Sequence, residues 1–122
     1  MLKNYNELKV WQESFGLCKD VCRLAKSFPR EEIYGLTSQM RRAAVSVPSN
    51  IAEGYGRKTT PEYVRSLYIA YGSLCELETQ LLLARDMKFM EDEALSAVFN
   101  RIGDIERMLK AMMRKLEERV TK

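Results

Sequence analysis

Histidine is missing from this chain of 122 residues. That absence removes the Ser-His-Asp and Cys-His nucleophilic pairs, and with them the Glu-x-x-His di-iron site that helical bundles often carry. Cysteine is scarce: there are three, an odd number that does not make a disulfide framework. Cys18 and Cys22 stand one helical turn apart and could touch a soft metal, yet with Cys75 they supply at most three thiolates. Small apolar core positions are the reading adopted for them, with no metal and no cofactor expected. No paired carboxylates sit in an evident pocket motif, so the chain is not expected to be an enzyme.

Long apolar runs are lacking too. The aliphatic stretch "LLLA" at 81–84 falls far short of the ~20 residues a membrane span needs, and "MLKNYNELKVW" does not resemble a secretory leader. A reduced, cytoplasmic protein with no membrane partner is expected. Charge of one sign is in small excess, with a formal net charge of +3 and a pI near 8.8. Such a balance permits nucleic-acid binding without arguing for it, and a solvated mixed surface accounts for it equally.

What the chain does have is helical periodicity. Leu8, Trp11, Phe15, Cys18, Cys22 and Ala25 recur at steps of three and four, which predicts a first helix over about 5–27. "SFPREEIYG" ends it, because Pro29 cannot continue the ladder and Gly35 supplies a turn. A second helix is expected from "LTSQM" to Glu53 or Tyr55. The third is expected to begin at Thr60 as N-cap, with Pro61 in its first position and Glu62 at its positive end, and to reach Asp86. A fourth should run from Asp92 to Arg119 on Leu95, Phe99, Ile102, Ile105, Leu109, Met112 and Leu116. No strand alternation, repeat or linker interrupts this pattern. The expected fold is all-α, a single domain over 1–122 forming an antiparallel up-down-up-down four-helix bundle.

The second helix contains an apparent contradiction in "RRAAVSVPSNIAEGYGRKTT". Met40, Ala44, Val47, Ile51 and Tyr55 keep one phase at about 100° per residue straight through Pro48, which favours a kinked but continuous helix. Proline removes the N–H that would bond the Ala44 carbonyl, at a typical cost of ~3 kcal/mol. The competing reading breaks the helix at Val47, with Asn50 as a new N-cap and Glu53 completing a capping-box-like pair. Away from the apolar stripe lie Arg42, Ser46, Asn50, Glu53 and Arg57, flanked by the small row Val45, Ser49 and Ala52. Small residues let another backbone approach, so this face is read as either a subunit interface or a tolerant solvent face.

The third helix is apolar nearly all round. Leu67, Tyr71, Leu74, Glu78, Leu81 and Leu82 mark one side, and Ile69, Gly72, Glu76 and Leu83 the other. A four-helix monomer cannot bury both, so self-association is expected, with Val45, Ser46, Ser49, Asn50, Ala52, Glu53, Ile69 and Glu76 as candidate interface residues. Glu78 falls within the core-facing stripe. It must therefore be partly exposed, protonated, or paired with a buried arginine or tyrosine hydroxyl.

The segments "FPREEIYGLTSQMRRA", "VPSNIAEG" and "GSLCELETQL" resemble the four-helix-bundle proteins encoded by intervening sequences inside bacterial large-subunit (23S) rRNA genes. The resemblance extends over roughly residues 5–90, and the fourth helix shares only its amphipathic character. It implies an up-down-up-down bundle and a ring-like homopentamer, an arrangement that head-to-tail contacts produce when the rotation closes. The family is related to accessory proteins of diversity-generating retroelements, which implies a basic surface for nucleic acid and for a reverse transcriptase as protein partner.

Candidate phosphate contacts are Arg41, Arg42, Arg57, Lys58 and Arg65, with Lys19, Arg23 and Lys26 as a second group. Arg57 and Lys58 precede the third helix, whose N-terminal N–H groups favour an anion. Arg41 and Arg42 could equally form salt bridges with Glu53, Glu76 or Glu78, in the bundle or between subunits. Two functions remain open: an oligomeric protein that binds RNA or DNA through backbone phosphate without base readout, and a scaffold that recruits a partner protein with no nucleic-acid role.

Overall fold

The computed structural model describes residues 4–121. Four α-helices are found among them: α1 Lys9–Ala25, α2 Leu36–Tyr55, α3 Thr60–Asp86 and α4 Asp92–Thr121, with 3-10 turns at Tyr5–Glu7 and Arg30–Glu32. No strand occurs among the described residues. Each helix packs on two neighbours, α1 on α2 and α4, and α3 on α2 and α4, with no close backbone approach across either diagonal among the described residues. Ser46 meets Ser73 while Gly54 lies against Tyr63 and Ser66, so residue numbers fall along α2 as they rise along α3. Likewise Tyr68 meets Glu117 and Tyr71 meets Lys110 between α3 and α4, and Phe28 meets Phe89 while Arg101 meets Glu13 and Asp20 between α1 and α4. These registers are those of antiparallel neighbours.

The helix limits differ from the periodic reading at two ends. Residues 5–8 are not part of α1, because the Asn4 side chain accepts the Asn6 N–H at 2.9 Å and holds a separate 3-10 turn before the chain extends at Leu8. At α3 the cap is Thr59, not Thr60: its Oγ1 accepts the Glu62 N–H at 3.3 Å. Thr59-x-x-Glu62 is the spacing of a capping box, which a choice based on Pro61 alone overlooks. The α3 to α4 turn closes with Lys88 in the left-handed region at φ 61, Lys88 N–H on the Arg85 carbonyl and Phe89 N–H on the Ala84 carbonyl. That is a Schellman pattern, and it delivers the Phe89 ring to Phe28 of the opposite connection at 5.5 Å.

The core is built from Leu17, Val21, Met40, Val47, Ile51, Leu67, Leu74, Leu77, Leu81, Ile102, Ile105 and Leu109, all fully buried. In α1 the buried row is Val10, Ser14, Leu17, Val21 and Ala25, one position round from the expected stripe. Phe15 and Cys22 are exposed, and Trp11, packed against the edge of the core, stacks on Phe15 at 5.0 Å. The rotation follows from Gly16 and Ser14. A Cβ at residue 16 would collide with the Arg101 guanidinium, which reaches across from α4 to Asp20 at 2.9 Å and Glu13 at 3.3 Å. The Ser14 hydroxyl is satisfied within its own helix by the Val10 carbonyl at 2.7 Å, so it can face the interior.

Pro48 lies inside an unbroken α2 and is buried there. The break at Val47 with Asn50 as a cap is therefore incorrect. Asn50 instead donates back to the Ser46 carbonyl at 2.8 Å and Ser46 Oγ at 3.0 Å. The carbonyl orphaned by the proline, that of Ala44, has a replacement donor: the Cys18 thiol of α1 points at it from 2.9 Å. Burial pushes that thiol up to about 11, with Cys22 adding to the rise, so it keeps its proton at neutral pH. Of the three cysteines only Cys18 is half-buried, and Cys22 and Cys75 are exposed, which corrects the core assignment of the latter two.

A mutant cycle tests this arrangement. Cys18→Ala should cost about 1–3 kcal/mol in urea unfolding by leaving a buried carbonyl unpaired. In a Pro48→Ala background, where an N–H returns to that carbonyl, the same change should cost clearly less. Equal penalties in both backgrounds would refute the substitution of thiol for amide.

Candidate functional site

Helix α2 separates the candidate basic residues into two groups at its opposite ends, about 20 Å apart at 1.5 Å per residue. At the C-terminal end, Arg57 is held by Glu53 at 3.6 Å, with both side chains about half exposed. Lys58 and Arg65 are exposed and make no ion pair among the described residues. The N-terminus of α3 beside them already carries the Thr59 cap and the Glu62 carboxylate in its first turn. Its appeal as an anion site is reduced accordingly.

At the other end, Arg41 and Arg42 are exposed and form no salt bridge with Glu53, Glu76, Glu78 or any other acid among the described residues. They line an open groove of about 540 Å³ with Ile33, Tyr34, Ser38, Val45 and Ser46. Its only ionisable side chains apart from the tyrosine are the two arginines. A wider groove of about 870 Å³ at the α3 to α4 turn differs in character, since Asp86, Glu91 and Asp92 oppose Arg85 and Lys88. Of the second basic group, Lys26 lines a groove next to Arg41, Lys19 lies 5.5 Å over the Phe15 ring, and Arg23 is paired with Asp20 at 3.1 Å. Among the described residues, Arg57 is thus paired, whereas Lys58, Arg41 and Arg42 are not. Arg30 and Tyr34 were missed because "PREEIYG" reads as a loop that merely stops a helix; the pair of exposed Ile33 and Tyr34 inside it was the available signal.

The candidate interface residues also divide. Ser46 and Asn50 are half-buried and spend their hydrogen bonds within the chain, Ser73 Oγ donating to Ser46 Oγ at 2.8 Å across the α2–α3 seam. Val45, Ser49, Glu53, Ile69 and Glu76 are exposed, and Ala52 is half-exposed. Glu76 accepts from Gln80 Nε2 at 3.2 Å. Val45 and Ile69 remain 53% and 48% exposed, with Leu83 at 50% further along α3. Packing on two neighbours thus leaves α3 with uncovered apolar side chains. Gly72 lies among them, and a Cβ there would meet nothing within 4 Å.

Glu78 is half-buried and faces Glu106 of α4, not an arginine. Burial raises its carboxyl first, and the charge of Glu106 and the hydrogen bond between the two carboxyls add to the rise. Of the options left open for Glu78, partial exposure is what is found, and the neighbouring Glu106 carboxyl favours a proton held between the two. Cys75 Sγ and the two carboxylates come within 4.8 Å of one another and could together hold a metal ion. Tyr71 and Lys110 flank them, the ammonium 5.4 Å over the ring.

The class defined so far is an antiparallel four-helix bundle with one open basic corner, an exposed apolar seam and no histidine. Residues 6–111 match the family of 23S rRNA-intervening sequence proteins, and the chain belongs to that family. In fold it is similar to the crystal structure of a protein of unknown function from the S23 ribosomal protein family of Bacteroides thetaiotaomicron, with a TM-score of 0.79 at 21% identity over 85% of this chain and 97% of that one. No curated protein matches the chain significantly. Among the described residues no helix is long and apolar enough to cross a membrane.

The Glu78–Glu106 pair gives a pH prediction. Because folding favours the protonated Glu78, its stabilisation is complete below the ordinary carboxylate range and is lost as pH rises through the raised value. Glu78→Gln should therefore raise the melting temperature at pH 7 and leave it nearly unchanged below about pH 4. A melting temperature lowered by the same amount at both pH values would exclude the shared proton.

Proposed function

We propose that the protein is a non-enzymatic homo-oligomer, a closed ring of the pentameric kind, that binds nucleic-acid backbone through unpaired basic residues repeated around its axis. The supporting observation is the outer seam of α2 and α3, where Val45, Ile69 and Leu83 stay about half exposed around a glycine that no internal contact requires. A mid-helix glycine costs roughly 0.5–1 kcal/mol relative to alanine, and the absence of a Cβ is useful there only if another backbone comes close. A head-to-tail ring places one subunit's seam against a different patch of the next. Unpaired cations at Arg41, Arg42, Lys58 and Arg65 would then recur around the ring, so that a net charge of only +3 per chain becomes a strong local potential.

The same seam could seat a different protein, and the second reading is a scaffold without a nucleic-acid role. Assembly mass and cargo separate the two. Gly72→Ala should leave the isolated chain as stable or more so, by about 0.5–1 kcal/mol, while lowering the oligomer mass seen by light scattering. An unchanged oligomer would remove the seam from the interface.

For the nucleic-acid part, log affinity for a duplex should fall steeply with log salt. Lys58→Ala with Arg65→Ala should flatten that slope by about 0.9 for each phosphate that the variant no longer neutralises. No duplex or single-strand binding at low salt, with co-purification of one defined protein, would select the scaffold.

A further inference from the structure

The end of α1, the Arg30–Glu32 turn and the first turns of α2 line a groove of about 290 Å³ that shares Ile33 and Arg41 with the Tyr34 groove. Lys26, Arg30 and Arg41 line it, and none of the three has an ion-pair partner among the described residues. Three uncompensated cations around one concavity repel one another, a cost that an anion removes. The groove also borders the N-terminus of a 20-residue helix with no acid in its first turn and no N-cap side chain. One carboxylate is already at this end: Glu32 accepts the Leu36 N–H at 3.3 Å, leaving the N–H groups of Thr37 and Ser38 without a side-chain partner. Glu31 is exposed on the same turn, and neither acid lines either groove.

Two further observations point to a ligand. Thr37 lines the groove, is only 4% exposed, and its hydroxyl finds no hydrogen-bond partner. A buried, unpaired hydroxyl is costly, and threonine in a helix has two accessible χ1 wells, so a small turn can present it to an oxyanion. In the neighbouring groove, which shares Ile33 and Arg41 with this one, Tyr34 is 96% exposed, an aromatic ring with no ring partner among the described residues.

We propose that this corner is a nucleoside-phosphate site, in which Lys26, Arg30 and Arg41 hold the phosphate against the start of α2 and Tyr34 carries the attached base. Phosphate is favoured over carboxylate by the number of donors: two guanidinium forks, an ammonium, a hydroxyl and helix N–H groups suit three oxyanion oxygens better than two. The base comes from the platform, since stacking on an exposed ring is available to any nucleobase. The site does not require the nucleic-acid reading, because a free nucleotide satisfies it as well as the end of a strand.

The test titrates the full chain with inorganic phosphate and with adenosine monophosphate, following backbone amide shifts by NMR and heat by calorimetry. Saturable shifts at Thr37, Ser38 and Arg41 are expected with both, and tighter binding of the nucleotide. Tyr34→Ala should bring the nucleotide down to the affinity of phosphate, and Arg41→Gln should weaken both by about tenfold. Thr37→Val should weaken both while leaving the ligand-free melting temperature equal or higher, which separates lost binding from lost folding. A 5′-phosphorylated oligonucleotide that displaces the nucleotide, when its 5′-hydroxyl counterpart does not, assigns the site to strand ends; failure of both to displace it assigns the site to free nucleotide. No saturable shift at these residues, or wild-type affinity in Thr37→Val and Arg41→Gln, overturns the proposal. Strand binding that persists without any phosphate response defeats this site alone. Phosphate binding without strand binding defeats only the nucleic-acid reading.

Discussion

The carbonyl of Ala44 is the point on which the arrangement of the first two helices turns. Pro48 has no N–H to give it, and a carbonyl left unpaired in the interior would cost about as much as a sizeable fraction of the stability of a small domain. Cys18 supplies the missing proton from the neighbouring helix at 2.9 Å. A defect in one helix becomes a contact between two, and it fixes α1 in both rotation and height. Burial of the thiol keeps it protonated, so the donor persists across the physiological range.

That rotation has consequences on the far side of α1. With Cys18 turned to α2, Leu17 and Val21 enter the core and Gly16 faces α4, where its missing side chain makes room for Arg101. The guanidinium then spans Glu13 and Asp20 in a half-buried cluster. Gly54 plays the same part between α2 and α3: a Cβ there would meet Tyr63 Cδ1 at 2.8 Å and Ser66 Cβ at 2.9 Å. Close approach on the inner side of α2 leaves its outer side, with Val45, Ser49 and the free arginines, turned to solvent. The face available to other molecules is thus a by-product of how the inner face is satisfied.

The two ends of α2 differ because of what caps them. Near Tyr55 the chain passes into an α3 start that carries its own threonine cap and carboxylate, and Arg57 is drawn to Glu53. Near Leu36 the helix starts from glycine, its first N–H is taken by the Glu32 carboxylate, and Lys26, Arg30 and Arg41 make no ion pair among the described residues. A formal charge of +3 spread over the whole surface would be unremarkable, but unpaired cations gathered at one helix end give it a location.

The all-helical class, the helix limits to within a few residues, the continuity of α2 through Pro48 and the family membership were legible in the sequence. Each depends on local periodicity, on caps and breakers, or on motifs contiguous in the chain, and such features do not need a neighbour to be read. The absence of histidine likewise bounds the chemistry whatever the fold. Only the tertiary structure decided which of two adjacent stripes on α1 faces inward, that Cys18 serves the Ala44 carbonyl, that Glu78 meets another carboxylate, and that Arg41, not Arg57, is left without a partner. Those outcomes depend on which side chains from different helices share a height along the bundle. Spacing within one helix is blind to that, because hydrogen bonds and ion pairs are settled by distances across the seams between helices.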